Sequence, residues 1–461
     1  MKIKRICCIG AGYVGGPTMA VIAHECPEIR VVVVDSDTDK INAWNSKDLN
    51  NLPVYEPGLS DIVKVVRNRN LFFTNDFDNS IIESEMIFMA VNTPTKKSGV
   101  GRGFAADLSN VEKCAKRIAI KSRSNKIIVE KSPLPVKTAE KIKEVLSEFN
   151  THGVTFEVLS NPEFLAEGTA IKDLYKSDRV LIGGDSTQRG KKAVNCLVNI
   201  YKRWIPEKKI IKTSVWSSEL SKLASNAMLA QRISSINSLS AICENTDASI
   251  NELSRAIGTD SRIGNKFLET SVGFGGSCFQ KDILNLVYLS KSIGLNEVAE
   301  YWHQVVKIND YQKLRFSKKI IDFFNGNVSN AQISILGWAY KKNTNDSRES
   351  SSIFVTRDLL DRGAKVKIYD PMVSKTRIIK DISDHFKKNQ VKRILDNVQI
   401  NNSINQSISN SKVIVILTEW DEFKNFNWKK RFVNSKSAPF IFDGRNIINN
   451  YYTNKIYSIG N

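Results

Sequence analysis

The chain has 461 residues, which suggests two to four domains, and its hydrophobic content of 41% is enough for packed cores. Global disorder is therefore excluded, and no stretch approaches the roughly 20 apolar residues of a membrane-spanning helix. The net charge of +19 raises the question of a nucleic-acid partner. Because the basic residues are scattered and no nucleic-acid-binding motif is present, we expect either a solvated basic surface or one that steers an anionic substrate.

The cysteines and the N-terminal residues bear on the compartment. The apolar run at residues 6–9 is too short for a signal peptide and continues into a glycine turn, so it is predicted to be the first strand. The cysteines are odd in number, and no pair has the spacing of a metal site or a redox motif. They indicate reduced thiols in a cytoplasmic protein without a structural metal. The seven are Cys7, Cys8, Cys26, Cys114, Cys196, Cys243 and Cys278.

Residues 1–212 alternate short β-branched runs with amphipathic stretches. The continuous apolar runs are typical of strands buried on both faces, as in a parallel sheet. Helical periodicity lies between the runs, for example over residues 110–121. This alternation predicts βαβ units and a doubly wound sheet. The predicted strands lie at residues 6–9, 31–34, 86–89 and 127–129.

Strand patterns disappear from residue 213 to residue 323. Residues 217–244 form one long helical pattern without glycine or proline, which we interpret as a connector between two α/β domains and as a dimer surface. Strand patterns return at residues 333–336, 366–369 and 413–417, and the polar segment 375–410 is predicted as surface helix and loop.

The predicted fold class is therefore α/β. Two Rossmann-like, doubly wound parallel-sheet domains, residues 1–212 and 324–461, are expected on either side of a central helical domain, residues 213–323. The central domain would form the dimer.

A glycine-rich turn comes after the first predicted strand, with the sequence Gly10-Ala11-Gly12-Tyr13-Val14-Gly15. Its first glycine permits a tight turn, the second lets a pyrophosphate approach the backbone, and the third allows close packing of the next helix. Asp35 ends the second strand, where a carboxylate binds the adenine ribose hydroxyls and repels a 2′-phosphate. The pattern predicts that the chain binds NAD in preference to NADP.

A second glycine cluster precedes a cysteine in the stretch Gly273-Phe274-Gly275-Gly276-Ser277-Cys278-Phe279-Gln280-Lys281-Asp282. Three glycines within four residues let a ligand come close to the backbone. A neighbouring cation, or a helix N-terminus, favours the nucleophilic thiolate form of a cysteine. Taken alone, this stretch favours a buried structural cysteine beside a turn.

The two glycine motifs occur together with other long motifs in one order along the chain. Residues 161–168 read Asn-Pro-Glu-Phe-Leu-Ala-Glu-Gly, and a further motif covers residues 219–226. In this combination the chain resembles the UDP-glucose 6-dehydrogenase family over nearly its whole length, and most closely the eukaryotic branch. Shorter stretches agree with that resemblance, at residues 91–95, 262–267, 348–352 and 442–445.

The resemblance implies an NAD-dependent, four-electron oxidation of UDP-glucose to UDP-glucuronate. The thiolate of Cys278 would add to the aldehyde formed first, so that a tetrahedral thiohemiacetal can lose a second hydride and water can hydrolyse the resulting thioester. Lys222 and Asp282 would position water and stabilise oxyanion charge. Glu163 would act as an acid/base in the hydrolysis, and Asn226 would contact the reacting oxygen.

The resemblance also implies binding positions, with cations for the two phosphates of UDP-glucose. Arg262 is expected to reach the substrate of a neighbouring subunit in a homodimer or a hexamer. Cofactor contacts are expected from Gly10, Ala11, Gly12, Tyr13, Val14, Gly15, Asp35, Lys40, Val91, Asn92, Thr93, Pro94, Thr95, Ser132, Glu167, Lys281 and Arg348. Substrate contacts are expected from Phe164, Leu165, Lys222, Asn226, Arg262, Phe274, Gly275, Tyr340, Lys341 and Arg445.

One position departs clearly from the family pattern. Pro133 stands where the family has threonine, which removes a hydroxyl and a backbone N–H from a loop near the nicotinamide. We expect slower catalysis and the same reaction class. Tyr340 in place of phenylalanine and Phe104 in place of a basic residue are milder changes.

Two other classes of function stay open at this point. The same cysteine chemistry would serve a dehydrogenase of GDP-mannose or of a UDP-N-acetylhexosamine. The second class is a non-catalytic NAD-binding protein derived from the enzyme, and Pro133 is the feature that favours this class.

Overall fold

The computed structural model describes residues 2–132, 135–432, 438–448 and 455–461. Contacts between residues divide the chain into two units. Unit 1 is Met1–Ser225 with Lys291–Ile293, and unit 2 is Asn226–Ser290 with Gly294–Asn461.

Unit 1 is built on one sheet. Its described strands are β1 (Arg5–Ile9), β2 (Arg30–Val34), β3 (Leu71–Thr74), β4 (Met86–Met89), β5 (Lys126–Glu130), β6 (Phe156–Ser160), β7 (Val180–Gly183) and β8 (Ile210–Thr213). They lie in the order β3-β2-β1-β4-β5-β6-β7-β8. Neighbouring strands are parallel except β6 and β7, which meet in an antiparallel pair.

Helices cover both faces of this sheet, as the apolar strands require. They are α1 (Gly15–Glu25), α2 (Thr38–Asn45), α3 (Leu59–Val66), α4 (Phe77–Glu83), α5 (Ser109–Lys121), α6 (Thr138–Glu148), α7 (Ala170–Tyr175) and α8 (Gln188–Tyr201). All four residues of β4 are buried, in keeping with its central place in the sheet. The side chains of the sheet divide into two apolar cores, one on each face.

Long helices come next along the chain, as predicted. They are α9 (Val215–Cys243), α10 (Ile250–Gly258), α11 (Phe279–Ser292) and α12 (Asn296–Phe323). The first eleven residues of α9, up to Ser225, belong to unit 1 and the rest to unit 2. Residues 215–323 contain no strand, so the helical segment expected from the sequence is confirmed.

Unit 2 holds a second parallel sheet. Its described strands are β9 (Gln332–Leu336), β10 (Lys365–Tyr369), β11 (Val398–Ile400), β12 (Val413–Ile416), β13 (Phe440–Asp443) and β14 (Ile456–Ser458). They lie in the order β11-β10-β9-β12-β13-β14, with all neighbours parallel. The helices are α13 (Ser351–Asp361), α14 (Lys375–Asp384), α15 (Val391–Leu395), α16 (Ile404–Ile408), α17 (Asp421–Asn425) and α18 (Trp428–Phe432).

The α/β fold class with two doubly wound sheets and a helical region between them in the chain is thus confirmed. The expectation for residues 375–410 was incomplete, because this segment also contains β11. That strand has three residues, lies at the edge of the sheet and pairs only with β10 among the described strands. A short edge strand is specified by its partner more than by its own sequence pattern.

Among the helices of the described residues, none combines the length and apolar character needed to cross a bilayer. In the same part of the chain, no group of three or more His, Cys, Asp and Glu side chains is placed to hold a metal ion.

Candidate active site

The glycine turn connects β1 to α1 in unit 1. Gly10 has a φ of +113° and donates its N–H to the carbonyl of Val34 at 2.8 Å. A Cβ on this residue would lie 2.3 Å from the carbonyl oxygen of Ala90, so no other residue fits. A Cβ on Gly12 would meet nothing within 4 Å. The turn therefore leaves open space beside its backbone at the N-terminus of α1, which suits the pyrophosphate of a dinucleotide.

Asp35 lies directly after β2, and its carboxylate faces the glycine turn. One oxygen accepts the amide of Ala11 at 2.9 Å and the ammonium of Lys40 at 2.9 Å, while the other accepts the amide of Asp37 at 3.0 Å. Burial acts to raise the pKa of Asp35, but these hydrogen bonds outweigh it, and the pKa lies below its usual range. A fixed carboxylate beside the turn is what the predicted ribose contact requires.

The other predicted cofactor positions of unit 1 lie after neighbouring strands. Residues 91–95 come after β4 and Ser132 after β5, and the Ser132 hydroxyl donates to the carbonyl of Val91 at 2.8 Å. Because the carboxyl ends of parallel strands meet at one edge of a sheet, the structure brings these residues to the edge that also carries the glycine turn.

Glu163 and Lys222 form a buried ion pair in unit 1. The Lys222 ammonium lies 3.2 Å from one carboxylate oxygen of Glu163, and the two side chains are 6% (Glu163) and 4% (Lys222) exposed. The other oxygen accepts the amide of Leu165 at 2.6 Å. The structure thus brings together two of the predicted catalytic side chains, one after β6 and one on α9, that are far apart in the sequence.

Two residues that no motif indicated support this loop. The guanidinium of Arg179 lies 3.7 Å from the ring centroid of Phe164. The carboxylate of Glu56 is buried and accepts the amides of Gly168 and Ala170 at 2.8 and 2.9 Å. The two hydrogen bonds of Glu56 hold the C-terminal end of the 161–168 motif next to the start of α7. A buried glutamate that is distant in sequence from the motif leaves no recognisable pattern, so only the fold reveals this role.

Cys278 lies in unit 2, immediately before the first residue of α11. It is partly exposed, and its Sγ is 3.6 Å from the hydroxyl oxygen of Ser277. The carbonyl of Cys278 accepts the amide of Asp282 at 2.9 Å in the first turn of the helix. The positive end of the helix dipole favours an anion at this position, as a nucleophilic thiolate needs.

The glycine cluster before Cys278 is held from two sides. The amide of Phe274 donates to Asn309 at 2.8 Å, and the Asn309 amide donates back to its carbonyl at 3.1 Å. The N–H of Gly276 donates to the carbonyl of Arg348 at 2.8 Å, and the Ser351 hydroxyl donates to the carbonyl of Gly273 at 3.2 Å. The 348–352 motif therefore supports the cysteine turn, a role that its sequence did not indicate.

Asn226 and Asp282 form a second buried polar pair in unit 2. The Asn226 side-chain amide donates to the Asp282 carboxylate at 2.7 Å, and both residues are buried. Asp282 lies one helical turn after Cys278 on α11. The structure thus places two further predicted catalytic residues in contact beside the cysteine turn.

Arg445, a predicted substrate cation, is oriented by two backbone carbonyls and by the carboxylate of Glu419, which lies 3.4 Å from its guanidinium. Its guanidinium donates to the carbonyls of Leu417 at 2.7 Å and Tyr340 at 2.9 Å. It lines a cavity of about 1030 Å³ in unit 2, whose described lining contains one acidic residue, Glu269, and several basic ones. The basic lining residues are Arg255, Lys424, Lys429 and Arg445. A positively charged cavity suits an anionic ligand.

Three other predicted residues lie on loops of unit 2. Arg262 has an 88% exposed side chain and pairs with Asp260 of its own loop at 2.6 Å. Lys341 has its ammonium 5.7 Å from the ring centroid of Tyr340. Arg348 pairs with Asp346 at 2.7 Å. Pro133 lies outside the described residues, so the slower catalysis expected from it stays a prediction.

The predicted residues fall into both units. The described cofactor positions lie in unit 1, except Lys281 and Arg348 in unit 2. Of the substrate positions, Phe164, Leu165 and Lys222 lie in unit 1 and the others in unit 2.

Three family models match successive parts of the chain. They describe the NAD binding domain, the central domain and the UDP binding domain of the UDP-glucose/GDP-mannose dehydrogenase family, at residues 4–205, 216–311 and 334–450. The chain belongs to this family. As a member, it is an NAD-dependent oxidoreductase, which confirms the family and the cofactor predicted from the sequence.

Relatives of the dehydrogenase match over nearly their full lengths. A UDP-glucose 6-dehydrogenase of Gallus gallus is 53% identical over 461 residues, which cover 100% of this chain and 92% of the relative. UDP-glucose 6-dehydrogenase 2 of Arabidopsis thaliana is 53% identical over 468 residues, which cover 99% of this chain and 97% of the relative. Among solved structures, a UDP-glucose dehydrogenase from the hyperthermophilic archaeon Pyrobaculum islandicum matches with a TM-score of 0.84 at 26% identity, covering 99% of this chain and 98% of the other.

Proposed function

We propose that this dehydrogenase oxidises UDP-glucose to UDP-glucuronate, with water and two molecules of NAD, at a single site whose nucleophile is Cys278. The observation that carries the proposal is the position of Cys278, partly exposed at the N-terminus of α11 and behind a glycine turn. The names of the relatives from chicken and Arabidopsis support UDP-glucose as the substrate.

The protein's own residues supply the steps around the sulfur. NAD, when bound, accepts a hydride from C6 in each of the two oxidations, and in the first of them a base also takes the C6 hydroxyl proton. Between them the Cys278 thiolate adds to the C6 aldehyde and forms a thiohemiacetal, whose oxidation gives a thioester. Water then attacks the thioester carbonyl, the C–S bond breaks, and the thiolate is released. In this way one cysteine serves a four-electron oxidation.

The two buried polar pairs fit roles in these steps. Glu163, held 3.2 Å from the Lys222 ammonium, is proposed to take the proton of the attacking water. Lys222 and Asn226 are proposed to stabilise negative charge on the C6 oxygen, with Asp282 holding the Asn226 amide at 2.7 Å. Buried donors are suited to this task because they need little reorganisation when charge develops.

Phosphate binding is proposed for the positively charged cavity of unit 2. Arg445 lines it, with its guanidinium oriented by the carbonyls of Leu417 and Tyr340. Lys341 and Arg262 are proposed to add charge at the diphosphate, Arg262 from a second copy of the chain. Its 88% exposed side chain leaves it accessible to a partner.

We also propose a homodimer, with a hexamer as a further assembly, and a cytoplasmic location. Helices α9 and α12 carry large apolar side chains that a single chain leaves exposed, including Met228, Ile242, Tyr311 and Leu314. All seven cysteines lie in the described residues and are free thiols, which fits a reducing compartment. The functional division is proposed as residues 1–212 for NAD, 213–323 for assembly and 324–461 for UDP.

The test is the number of NADH molecules formed per nucleotide sugar consumed. With limiting UDP-glucose and excess NAD, absorbance should rise by two NADH per UDP-glucose, and UDP-glucuronate should be the product. GDP-mannose and UDP-N-acetylglucosamine, assayed in parallel, should give much lower kcat/KM. One NADH per sugar with release of an aldehyde would contradict the double oxidation. Turnover only with GDP-mannose or the acetylated sugar would transfer the same mechanism to that substrate, and NAD binding without turnover would indicate a non-catalytic protein.

A further inference from the structure

Strand β5 ends in a buried carboxyl that has no ordinary partner. Glu130 is 2% exposed, and no N–H or O–H donor of the described residues reaches either of its carboxyl oxygens. Its acidic neighbour is Glu219, near the start of α9. The hydroxyl of Ser218 donates to the carbonyl of Ser160, the residue that pairs with Glu130 in the sheet, so the start of α9 lies beside the end of β5. Two carboxylates cannot bond to one another, so one of the two must carry a proton. We call Glu130 and Glu219 the carboxyl pair.

The surroundings determine which member holds the proton. Glu219 accepts two backbone amides, those of Lys137 at 2.8 Å and Ala139 at 2.9 Å, and such bonds stabilise a carboxylate. Glu130 receives none from the described residues. Burial, followed by the charge of Glu219, raises the pKa of Glu130 well above its usual range. The surroundings therefore favour the proton on Glu130 and the negative charge on Glu219.

Charged groups on the neighbouring elements do not neutralise the carboxyl pair. Lys143 of α6 acts to lower the pKa of Glu130, but its ammonium binds the carboxylate of Asp185 at 2.7 Å. Burial and the charge of Glu140, also on α6, act to raise the pKa of Glu219, whereas the hydrogen bonds from its two backbone amides act to lower it. Lys131, next along the strand, directs its ammonium to the side-chain oxygen of Asn161 at 3.1 Å. The ammonium groups of both lysines are thus bound elsewhere.

The carboxyl pair connects segments of unit 1 that carry site residues. Strand β5 continues from Glu130 into Ser132, a predicted cofactor contact. On α9, Lys222 lies one turn after Glu219, and its ammonium is bound to Glu163. The two backbone amides that donate to Glu219 belong to the start of α6.

We propose that the carboxyl pair is a positioning device, whose shared proton holds the end of β5 against the start of α9 and so sets where Ser132 and Lys222 stand. The inference rests on the proposed function, because its effect is on the oxidation of UDP-glucose. The two glutamates touch neither substrate nor cofactor and act through the residues that they position.

The device has a direction of pH dependence. The pKa of Glu130 is raised in the folded chain, so the stabilisation is fully present below the unfolded-state pKa and disappears as pH rises through the folded-state value. Above that pKa the two buried carboxylates repel each other, and the end of β5 and the start of α9 move apart. Activity should therefore decline reversibly on the alkaline side.

The first test detects the proton itself and does not depend on turnover. Infrared difference spectra at about pH 8 compare the wild type with Glu130→Gln, in which an amide N–H can bond to Glu219 without a titrating proton. The control is Glu157→Gln, a partly buried carboxyl on the adjacent strand β6. A protonated-carboxyl C=O band should be present in the wild type and in Glu157→Gln and absent from Glu130→Gln. A wild-type spectrum without a band assignable to Glu130 would overturn the pair.

The second test measures positioning by kcat and KM across pH. Glu130→Gln should keep the wild-type kcat near neutral pH and lose the alkaline decline. Glu130→Ala should lower kcat ~10- to 100-fold, the scale of a misplaced catalytic group, with a much smaller change in KM for UDP-glucose. Wild-type kcat in Glu130→Ala, or an unchanged alkaline decline in Glu130→Gln, would overturn the positioning role. If the alanine variant does not fold, the glutamine profile decides.

The two tests separate this inference from the proposed function. A protein that does not oxidise UDP-glucose but shows the Glu130 band would refute the proposed function and leave the carboxyl pair in place. A protein that forms two NADH per UDP-glucose without the band would keep the proposed function and refute the pair.

Discussion

The two sheets of this dehydrogenase have the same order of their first six strands, but the segments after the first strand of each sheet differ. In unit 1, the N–H of Gly10 donates to the carbonyl of Val34, and in unit 2 the N–H of Gly337 donates to the carbonyl of Tyr369, both at 2.8 Å. Each glycine has a positive φ. The turn after the first strand is thus built alike in both units, and yet only the first has the form of a dinucleotide site.

The acidic residue after the second strand shows the difference. Asp35 accepts two backbone amides and one flexible lysine ammonium, so one of its ligands can give way to a ribose hydroxyl. Asp370, at the same place in unit 2, already has five donors, four of them backbone amides. They are the amides of Trp338, Ala339, Met372 and Val373 and the indole N–H of Trp420.

The segment after the turn differs as well. In unit 1, α1 begins at Gly15, so its N-terminus faces the open space beside Gly12. In unit 2 the next helix begins only at Ser351, and the fully buried Trp338 lies directly after the turn. Equal topology therefore does not imply equal ligands, because the side chains at the strand ends decide whether a phosphate has room and amide donors.

The largest expected effect compares the two partly exposed cysteines, one in each unit. Cys278→Ser should reduce formation of the second NADH by at least ~1,000-fold, because a hydroxyl is a much weaker nucleophile than a thiolate. The reaction should stall after the first oxidation or at an ester. Cys196→Ser, on α8, should keep wild-type kcat. Equal losses in both variants, or two NADH per sugar from Cys278→Ser, would contradict the assignment.

The second prediction gives unit 1 the turn of unit 2, in which Ala339 occupies the place of Gly12. Gly12→Ala should raise the KM for NAD ~10- to 100-fold, since the new methyl group occupies the space for the pyrophosphate. Thermal stability should be unchanged, because the methyl group meets no atom within 4 Å. Steady-state kinetics and thermal unfolding measure the two effects. An unchanged KM would show that the pyrophosphate does not approach this residue.

The third prediction concerns the acids that end the fifth strand of each sheet. Asp443 ends β13, as Glu130 ends β5, and burial raises its pKa to about 6 against several backbone amide bonds. Because the folded pKa is raised, its stabilising contribution is largest below the unfolded pKa of about 4 and declines as pH rises through about 6.

Asp443→Asn removes this titration and also loses one acceptor for the amides of Arg445 and Ile448. The wild type should therefore be the more stable protein, and its advantage should be about 1 kcal/mol larger at pH 5 than at pH 7. Thermal unfolding of both proteins at the two pH values measures it. An advantage that is the same at both pH values would mean that Asp443 does not titrate in this range.

The smallest expected effect is on cofactor choice. Asp35→Asn should lower the preference for NAD over NADP ~3- to 10-fold, because it removes the carboxylate that repels a 2′-phosphate. Asp370→Asn should lower thermal stability and leave cofactor choice unchanged, since its carboxylate already accepts five hydrogen bonds within unit 2. Equal preference for both cofactors in the wild type would reject the role of Asp35, and a changed preference in Asp370→Asn would reject the distinction between the two units.

Several features were predictable from the sequence because they depend on local patterns. The runs that became β4 and β12 are continuously apolar, and a strand with that pattern must be buried on both faces. The long helix α9 was predictable from an uninterrupted helical pattern. The glycine turn and Asp35 have a fixed spacing relative to a strand, so their roles could be inferred without coordinates.

Other features were decided only by the tertiary structure. Strand β11 forms because β10 offers it a partner, and Asn309 supports the cysteine turn from a helix whose sequence carries no motif. The carboxyl pair joins Glu130 and Glu219 across many intervening residues. Periodicity along the chain reports which face of an element is buried, but it does not report which distant polar group will meet it there. That depends on strand order and helix packing, which bring remote segments together and determine which buried carboxyl must keep its proton.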